Sequence, residues 1–557
     1  MKRRTRQSPA PFSPSRREAM KLILGGSLVG AATPIETLIS SLADGLLNQA
    51  LAQETPATTV PRRYLQISLP QGPCRWVYDL PLHPLTPNPD IPLSPFILTA
   101  FQNGAGIYRT LPIQGGPGGR TYSMPSLWGT SMPTSSGTSV SMSSLLNNCL
   151  IIRGIRMPGD SHASNAALMF RPNPASHTLA GGVADGASEM IPAISLSQMP
   201  PYRSRDGIPL LSGAPNGLVS VTSLSKILSN YKRTSTDDVN ALLARRQSMQ
   251  ALMDAALETL RVRSAAENPA SASLWKLNSR AGEILNSGLP PILEEWGQAV
   301  IKYRALLSKC ATTVIPGITD VPTPQNDPLG LQVLSQTPVG AILRANTTVE
   351  HLAEHMALTE VLFRLGVSRS ITFPVSALIS PTSLPGLQRI HFDEHTTGAY
   401  ASAVLNSFLF LALSTLLNEL ISVLKSGGLY EDTVIQLTSE FPRTPPAFPT
   451  AGVAPDLSGT GHGWAGNVTT LFSGALQGLT VVGQCQNDRV RGHWGLAGRS
   501  IGPTHSEYIT VGNVATTTAS LLRVESPTPN FSSLVTISNG VVSHSDDVAP
   551  VNQAEAA

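Results

Sequence analysis

Charge is scarce in this chain of 557 residues: Asp, Glu, Lys and Arg together make up 13%, against about 25% in ordinary soluble domains. Neither sign dominates, with 39 Lys and Arg against 36 Asp and Glu, a net charge of +3. Residues 1–52 alone hold seven basic and three acidic side chains, which leaves 32 basic against 33 acidic in the remainder. A nucleic-acid partner needs a concentrated cationic face that releases counterions from phosphates. The body of the chain offers none, so nucleic acid is excluded as an expected partner. Aromatic residues are few, at 5%, and so are cysteines, at four. Cys74, Cys149, Cys310 and Cys485 form no C-x-x-C pair, so neither a thiolate zinc motif nor a dithiol redox motif is present. In an oxidising compartment they would form up to two disulfides in any of three full pairings, or stay as free buried thiols. The nucleophile elbow G-x-S-x-G, the Walker loop and the dinucleotide fingerprint are also missing. Gly115 to Gly119 is dense in glycine but lacks the lysine and the following helix of a phosphate cradle. Beyond the leader, no run reads as apolar enough to span a bilayer, which takes about 18 residues or more.

The chain has glycine and proline in plenty, 46 of each, and an N-terminus that reads as an address. Arg16 and Arg17 stand immediately before the weakly apolar run Leu22 to Ala32, interrupted soon after by Pro34 and Glu36. This resembles a bacterial twin-arginine signal, with Ala19 in place of the usual bulky apolar residue. Ala50-Leu51-Ala52 supplies small residues for a peptidase, which predicts cleavage before Gln53. Residues 1–52 are therefore expected to be a signal peptide and 53–63 a linker, with a short anchor or an N-terminal core helix as the alternative. A twin-arginine address implies a folded passenger, the export machinery as partner, and a periplasmic or cell-envelope destination.

The remainder alternates between strand and helix signals. Tyr64 to Leu69 and Leu150 to Gly154 are expected strands within a first α/β part, 64–225, whose residues 83–147 read as long loops. Between Lys226 and Lys309 there are 12 basic and 8 acidic residues, a local rise in charge that marks a helical insertion, 226–310. Thr236 with Asp237 and Asp238 reads as an N-cap with an acidic first turn, leading into a stripe of Leu242, Met249, Met253, Ala256 and Leu260. Leu293, Trp296, Val300, Tyr303 and Leu307 mark a second helix. The pair reads as a hairpin packed on the core, or as a partner-binding arm. A second α/β part, 311–557, contains a helix near 349–365, the strand Ser370 to Phe373, a long apolar helix from 401 to 425, and the strand Thr433 to Thr438. This order builds parallel units.

Carboxylates and imidazoles collect after predicted strands: Asp393 with His395, Glu440 with Arg443, and His462. Such sets hold divalent metals that polarise phosphoryl or acyl oxygens, and Arg443 has the forked donors that suit an anion. Asp160-Ser161-His162 forms a further polar cluster at a strand's carboxyl end, where α/β sheets place their sites. His351 to His355 fits H-x-x-E-H, although on an amphipathic helix it reads equally as ordinary helix surface.

Phe392-Asp393-Glu394-His395, a long helix, and then Thr433 to Thr438 running into Ser439-Glu440-Phe441-Pro442-Arg443-Thr444-Pro445 resemble a bacterial exported, sulfatase-like family known as a domain of unknown function. Gly461-His462-Gly463-Trp464, Gly72-Pro73-Cys74 and Tyr78-Asp79 are similar to further stretches of it. The resemblance implies an alkaline-phosphatase-like fold, with a mostly parallel sheet between helices. It also implies divalent metal ions bound by Asp393, His395, Glu440 and His462, with Arg443 receiving an anionic small-molecule substrate. Gly461 stands where the family has an aspartate, Pro442 where it has a glycine, and Gln71 and Cys74 where it has Gly and Ser. No cysteine begins C-x-P-x-R, which disfavours a formylglycine sulfatase. The expectation is a metal-dependent hydrolase of phosphate or related esters, or alternatively a degenerate, inactive member acting as an envelope binding or structural protein.

Overall fold

A computed structural model describes residues 60–80, 110–115, 121–196, 202–203, 209–210, 289–313, 348–379, 389–443, 462, 467–488, 493–498 and 509–544, less 160, 175, 188, 190–192, 312, 394, 396–398, 442, 484 and 539–540. The leader, the residue 236–260 stripe and residues 83–109 of the expected 83–147 loop region lie outside them.

Eight strands form one sheet: β1 (Arg63–Leu69), β2 (Asn148–Arg156), β3 (Ala193–Ser195), β4 (Ser370–Pro374), β5 (Thr433–Ser439), β6 (Asn467–Ser473), β7 (Gly478–Val482) and β8 (Ile509–Thr510). Their order is β7-β2-β6-β5-β1-β4-β3, with β8 also pairing β2. β1 pairs parallel with both β4 and β5, as do β4 with β3 and β7 and β8 with β2. Of the eight strands of this sheet, only β6 runs against its neighbours β5 and β2. The carboxyl ends of β1, β2, β4 and β5 and the amino end of β6 therefore share one edge.

Successive residues of these strands face opposite sides, as the period of two requires. Leu65, Ile151 and Ile435 enter one core, and Tyr64, Leu150 and Val434 the other. Both sides are apolar because helices cover both, as is usual for parallel sheets. On the first side lie α3 (Leu289–Cys310), α4 (Leu352–Arg364) and α5 (Ala399–Ser426). On the second lie α1 (His162–Phe170), α2 (Leu179–Asp185) and α6 (Val511–Leu522). The stripe expected from Val300, Tyr303 and Leu307 is buried on α3, and it faces the core.

The segment Leu405–Ser426 of α5 corrects one expectation from the sequence. By length and composition it is apolar enough to cross a membrane, yet 78% of its apolar window is buried inside the fold. Leu409, Leu413, Leu416 and Leu420 are fully enclosed, so its apolar character is that of a central core helix with neighbours on most sides.

Candidate metal centre

The shared strand edge gathers side chains from four separated stretches of chain. After β1, Gln71 (φ 71°) and Gly72 (φ 65°) make a left-handed turn. A Cβ on Gly72 would stand 3.1 Å from both the carbonyl oxygen and the Cβ of Phe441; glycine is thus favoured there by conformation and by space. That turn aims the Gln71 N–H at Glu440 Oε1, at 2.6 Å, and its carbonyl at Arg443, which donates from Nε at 3.2 Å and Nη2 at 2.9 Å. Arg443 is itself left-handed (φ 42°). Two such residues holding one another are strained positions of the kind that cluster at functional sites.

His162 opens α1, immediately after the N-cap Ser161, so its ring is delivered by the loop leaving β2. Its Nδ1 lies 2.5 Å from Glu440 Oε1. Its Nε2 points away from that carboxylate, 3.1 Å from His462 Nε2. His462 Nε2 lies 2.8 Å from His395 Nε2. Ligand atoms of the three rings thus fall within 4.8 Å of one another. Phe441 stacks on the His462 ring at 4.0 Å and 7°, and meets His162 edge-on at 5.1 Å, which fixes the planes of both imidazoles.

The five residues singled out from sequence all reach this edge, but with a division of labour that spacing alone does not reveal. Glu440 stands behind His162 and is 4% exposed. Burial raises its pKa above the ordinary carboxyl value, against the opposing pull of His162, the Gln71 N–H and Arg443. Asp393 Oδ1 accepts from Arg443 Nη2 at 2.6 Å and lies 3.6 Å from His395 Nε2. Arg443 is fully buried, so its guanidinium faces Gln71 and Asp393 and presents no surface to solvent. Asp393 and His395 are each 46% exposed and form the open side of the site.

The donor set suits a metal. A neutral imidazole has one N–H and one lone pair; in the tautomer that donates from Nδ1 to Glu440, His162 directs its Nε2 lone pair at the other rings. At 2.8 and 3.1 Å the Nε2 atoms are within hydrogen-bond distance of one another, so either a shared proton or a shared metal ion can join the rings. Three imidazoles backed by a carboxylate are a zinc-type set. The observed edges of 2.8 and 3.1 Å are a few tenths of an ångström shorter than the roughly 3.3 Å set by tetrahedral bonds of about 2.0–2.1 Å.

A network beneath the site anchors its floor. The buried Arg75 pairs with Asp79 and reaches Ser439 Oγ at 3.3 Å. Asn467 Nδ2 donates to the Ser439 carbonyl at 2.6 Å, tying the end of β5 to the start of β6. The H-x-x-E-H motif does not gather into a site. His351 caps α4 and is exposed, Glu354 pairs with Arg304 at 2.5 Å, and His355 is buried against Phe373. Cys74, Cys149 and Cys310 are buried thiols outside any disulfide.

Two parts of the centre are not apparent from spacing: His162 as a member of the cluster, and Phe441 as the ring supporting it. Its signal in the sequence was the polar Asp160-Ser161-His162 triplet directly after a strand. Compared with known protein families, curated proteins and solved structures, the chain matches none.

Proposed function

We propose that this protein is an exported hydrolase of phosphate or related esters, built on an alkaline-phosphatase-like sheet and dependent on a divalent metal. The observation carrying the proposal is the convergence of His162, His395 and His462 with the buried Glu440 behind His162. Three imidazole nitrogens would hold the ion, and an ion so held supplies Lewis acidity for a phosphoryl or acyl oxygen and lowers the pKa of water.

The chain's own groups have separate tasks. Glu440 keeps the His162 proton on Nδ1 and so leaves Nε2 as a ligand. Phe441 fixes the His462 plane. Arg443 orients the Asp393 carboxylate, which stands on the exposed side beside His395, within reach of a substrate or an attacking water. An anionic ester approaching from solvent meets that side first and Arg443 only through it. The site's position at the carboxyl edge of a mostly parallel sheet, where α/β proteins place their ligands, supports the same reading.

Commitment of both carboxylates to protein partners favours a second reading, a metal-holding envelope protein without turnover. Hydrolysis of p-nitrophenyl phosphate and p-nitrophenyl sulfate by the zinc-loaded protein separates the two. The hydrolase reading expects phosphate ester turnover that disappears in His395→Ala and falls at least tenfold in Asp393→Ala. Full metal loading with no turnover of either ester would establish the second.

A further inference from the structure

The opposite edge of the sheet carries a second polar site that the histidine centre does not use. β1 spans seven residues, so at about 3.3 Å per residue its two ends lie about 20 Å apart. At its amino end a cavity of about 530 Å³ is lined by Arg62, Glu431, Gln477, Leu521, Arg523 and Ile537, among others. Volumes of this order suit a small organic ligand.

Cationic groups crowd this end. Arg63, Arg369 and Arg523 all approach the carboxylate of Asp432, at 3.1, 2.8 and 3.8 Å, Arg369 also pairs with Glu189 at 2.7 Å, and Arg62 stands beside them. Arg62 is anchored, donating from Nη1 to the Leu521 carbonyl at 2.5 Å and from Nε to the Glu431 carbonyl at 3.2 Å. Burial, and next the like charge of Arg523, pull its pKa below the usual arginine value. Arg523 differs. Its guanidinium donates no hydrogen bond among the described residues and its side chain is 47% exposed.

Arg523 also occupies a backbone position that favours another residue. It terminates α6 with φ 62° and ψ 40°, its N–H returning to Ala519 and Ser520. Helices ending this way usually carry glycine there, because a Cβ is disfavoured at positive φ. Ordinary capping therefore accounts for the conformation, while the side chain, among the described residues, reaches only the long 3.8 Å contact with Asp432 and lines the cavity. Two guanidiniums from different elements lining one cavity, one of them half exposed, present the donors of an anion site.

From these positions we infer that the cavity between Arg62 and Arg523 binds a small phosphate monoester. The two guanidiniums hold the phosphate, Leu521 and Ile537 flank the organic part, and Glu431 and Gln477 accept from its hydroxyls. A tetrahedral dianion offers acceptors to two forks arriving from different elements, which a planar carboxylate does less well. This inference is independent of the hydrolase reading.

The test is isothermal titration of the full chain with glycerol 3-phosphate at constant ionic strength, in the His395→Ala background so that the histidine centre does not contribute. Arg523→Gly is the informative variant, since glycine relieves the strained backbone while removing the fork. Saturable one-site binding, weakened at least tenfold by Arg523→Gly and absent with glycerol, is the expected result. No binding in the background protein, or equal binding in Arg523→Gly, would overturn the inference.

Discussion

At the scale of single residues, His162 and Glu440 show how a ligand is prepared. Neither spacing nor composition connects two residues 278 positions apart; the loop after β2 and the loop after β5 bring them together. Glu440→Gln keeps the shape and removes the charge that favours His162 as an Nδ1–H tautomer. Zinc affinity in a chelator competition is expected to fall by about 10- to 100-fold, with the circular dichroism spectrum unchanged. Unaltered affinity would assign Glu440 to the fold alone.

His355 makes a separate, pH-dependent prediction. Burial, and then the nearby charge of His351, lower its pKa to about 3, whereas an unfolded histidine titrates near 6.5. Between these values the unfolded chain binds a proton that the folded chain refuses. The stability conferred by the neutral ring is therefore present above pH 6.5 and lost as pH falls toward 3. By linkage this amounts to about 2 kcal/mol between pH 7 and pH 5. Urea unfolding at the two pH values should show His355→Leu losing less stability than wild type by about that amount, and equal losses would contradict the burial account.

At the scale of elements, the strands and helices most legible in the sequence were those whose patterns are local. Tyr64 to Leu69 and Thr433 to Thr438 are apolar on alternate or successive positions and bounded by turn residues, and both are sheet strands. The stripe of α3 needed only its own periodicity. The antiparallel course of β6 was not legible, because pairing direction depends on partners elsewhere in the chain. α5 shows the limit from the other side: composition alone does not distinguish a core helix from a spanning one, and only its packing decides. Leu413→Ala, at a fully buried position of that helix, is expected to lower unfolding stability by about 2–5 kcal/mol, measured in urea.

The turn at Gly72 links element to site. Gly72→Ala places a Cβ against the Cβ and carbonyl of Phe441, and displacement of that residue disturbs His462 and the Gln71 bonds to Glu440 and Arg443. Gly137 has φ 85° with open space around its Cβ direction, so Gly137→Ala strains the backbone without touching the centre. Zinc affinity is expected to fall in the first variant and to stay unchanged in the second. An equal response would detach Gly72 from the metal site.

At the scale of the whole molecule, a mostly parallel sheet between two helical layers sets the histidine centre at one edge and the arginine-lined cavity at the other. The sequence pointed to the first edge because Glu440 directly follows the strand Thr433 to Ser439, and Asp393, His395, Glu440 and His462 do gather there. It did not show that the nitrogens converge while the carboxylates stand behind and beside them, since that depends on the Gln71 turn and on Arg443 folding inward. The second edge carried no sequence signal, because Arg62 and Arg523 are 461 positions apart and meet only where β1 begins and α6 ends.

The central claim is that His162, His395 and His462 form one metal site. Zinc stoichiometry of the purified full chain, determined by elemental analysis after dialysis, tests it most directly. The account predicts about one ion per chain in the wild type and loss of that ion in each of His162→Ala, His395→Ala and His462→Ala. Metal far below one per chain, or a content unchanged by all three substitutions, would contradict it.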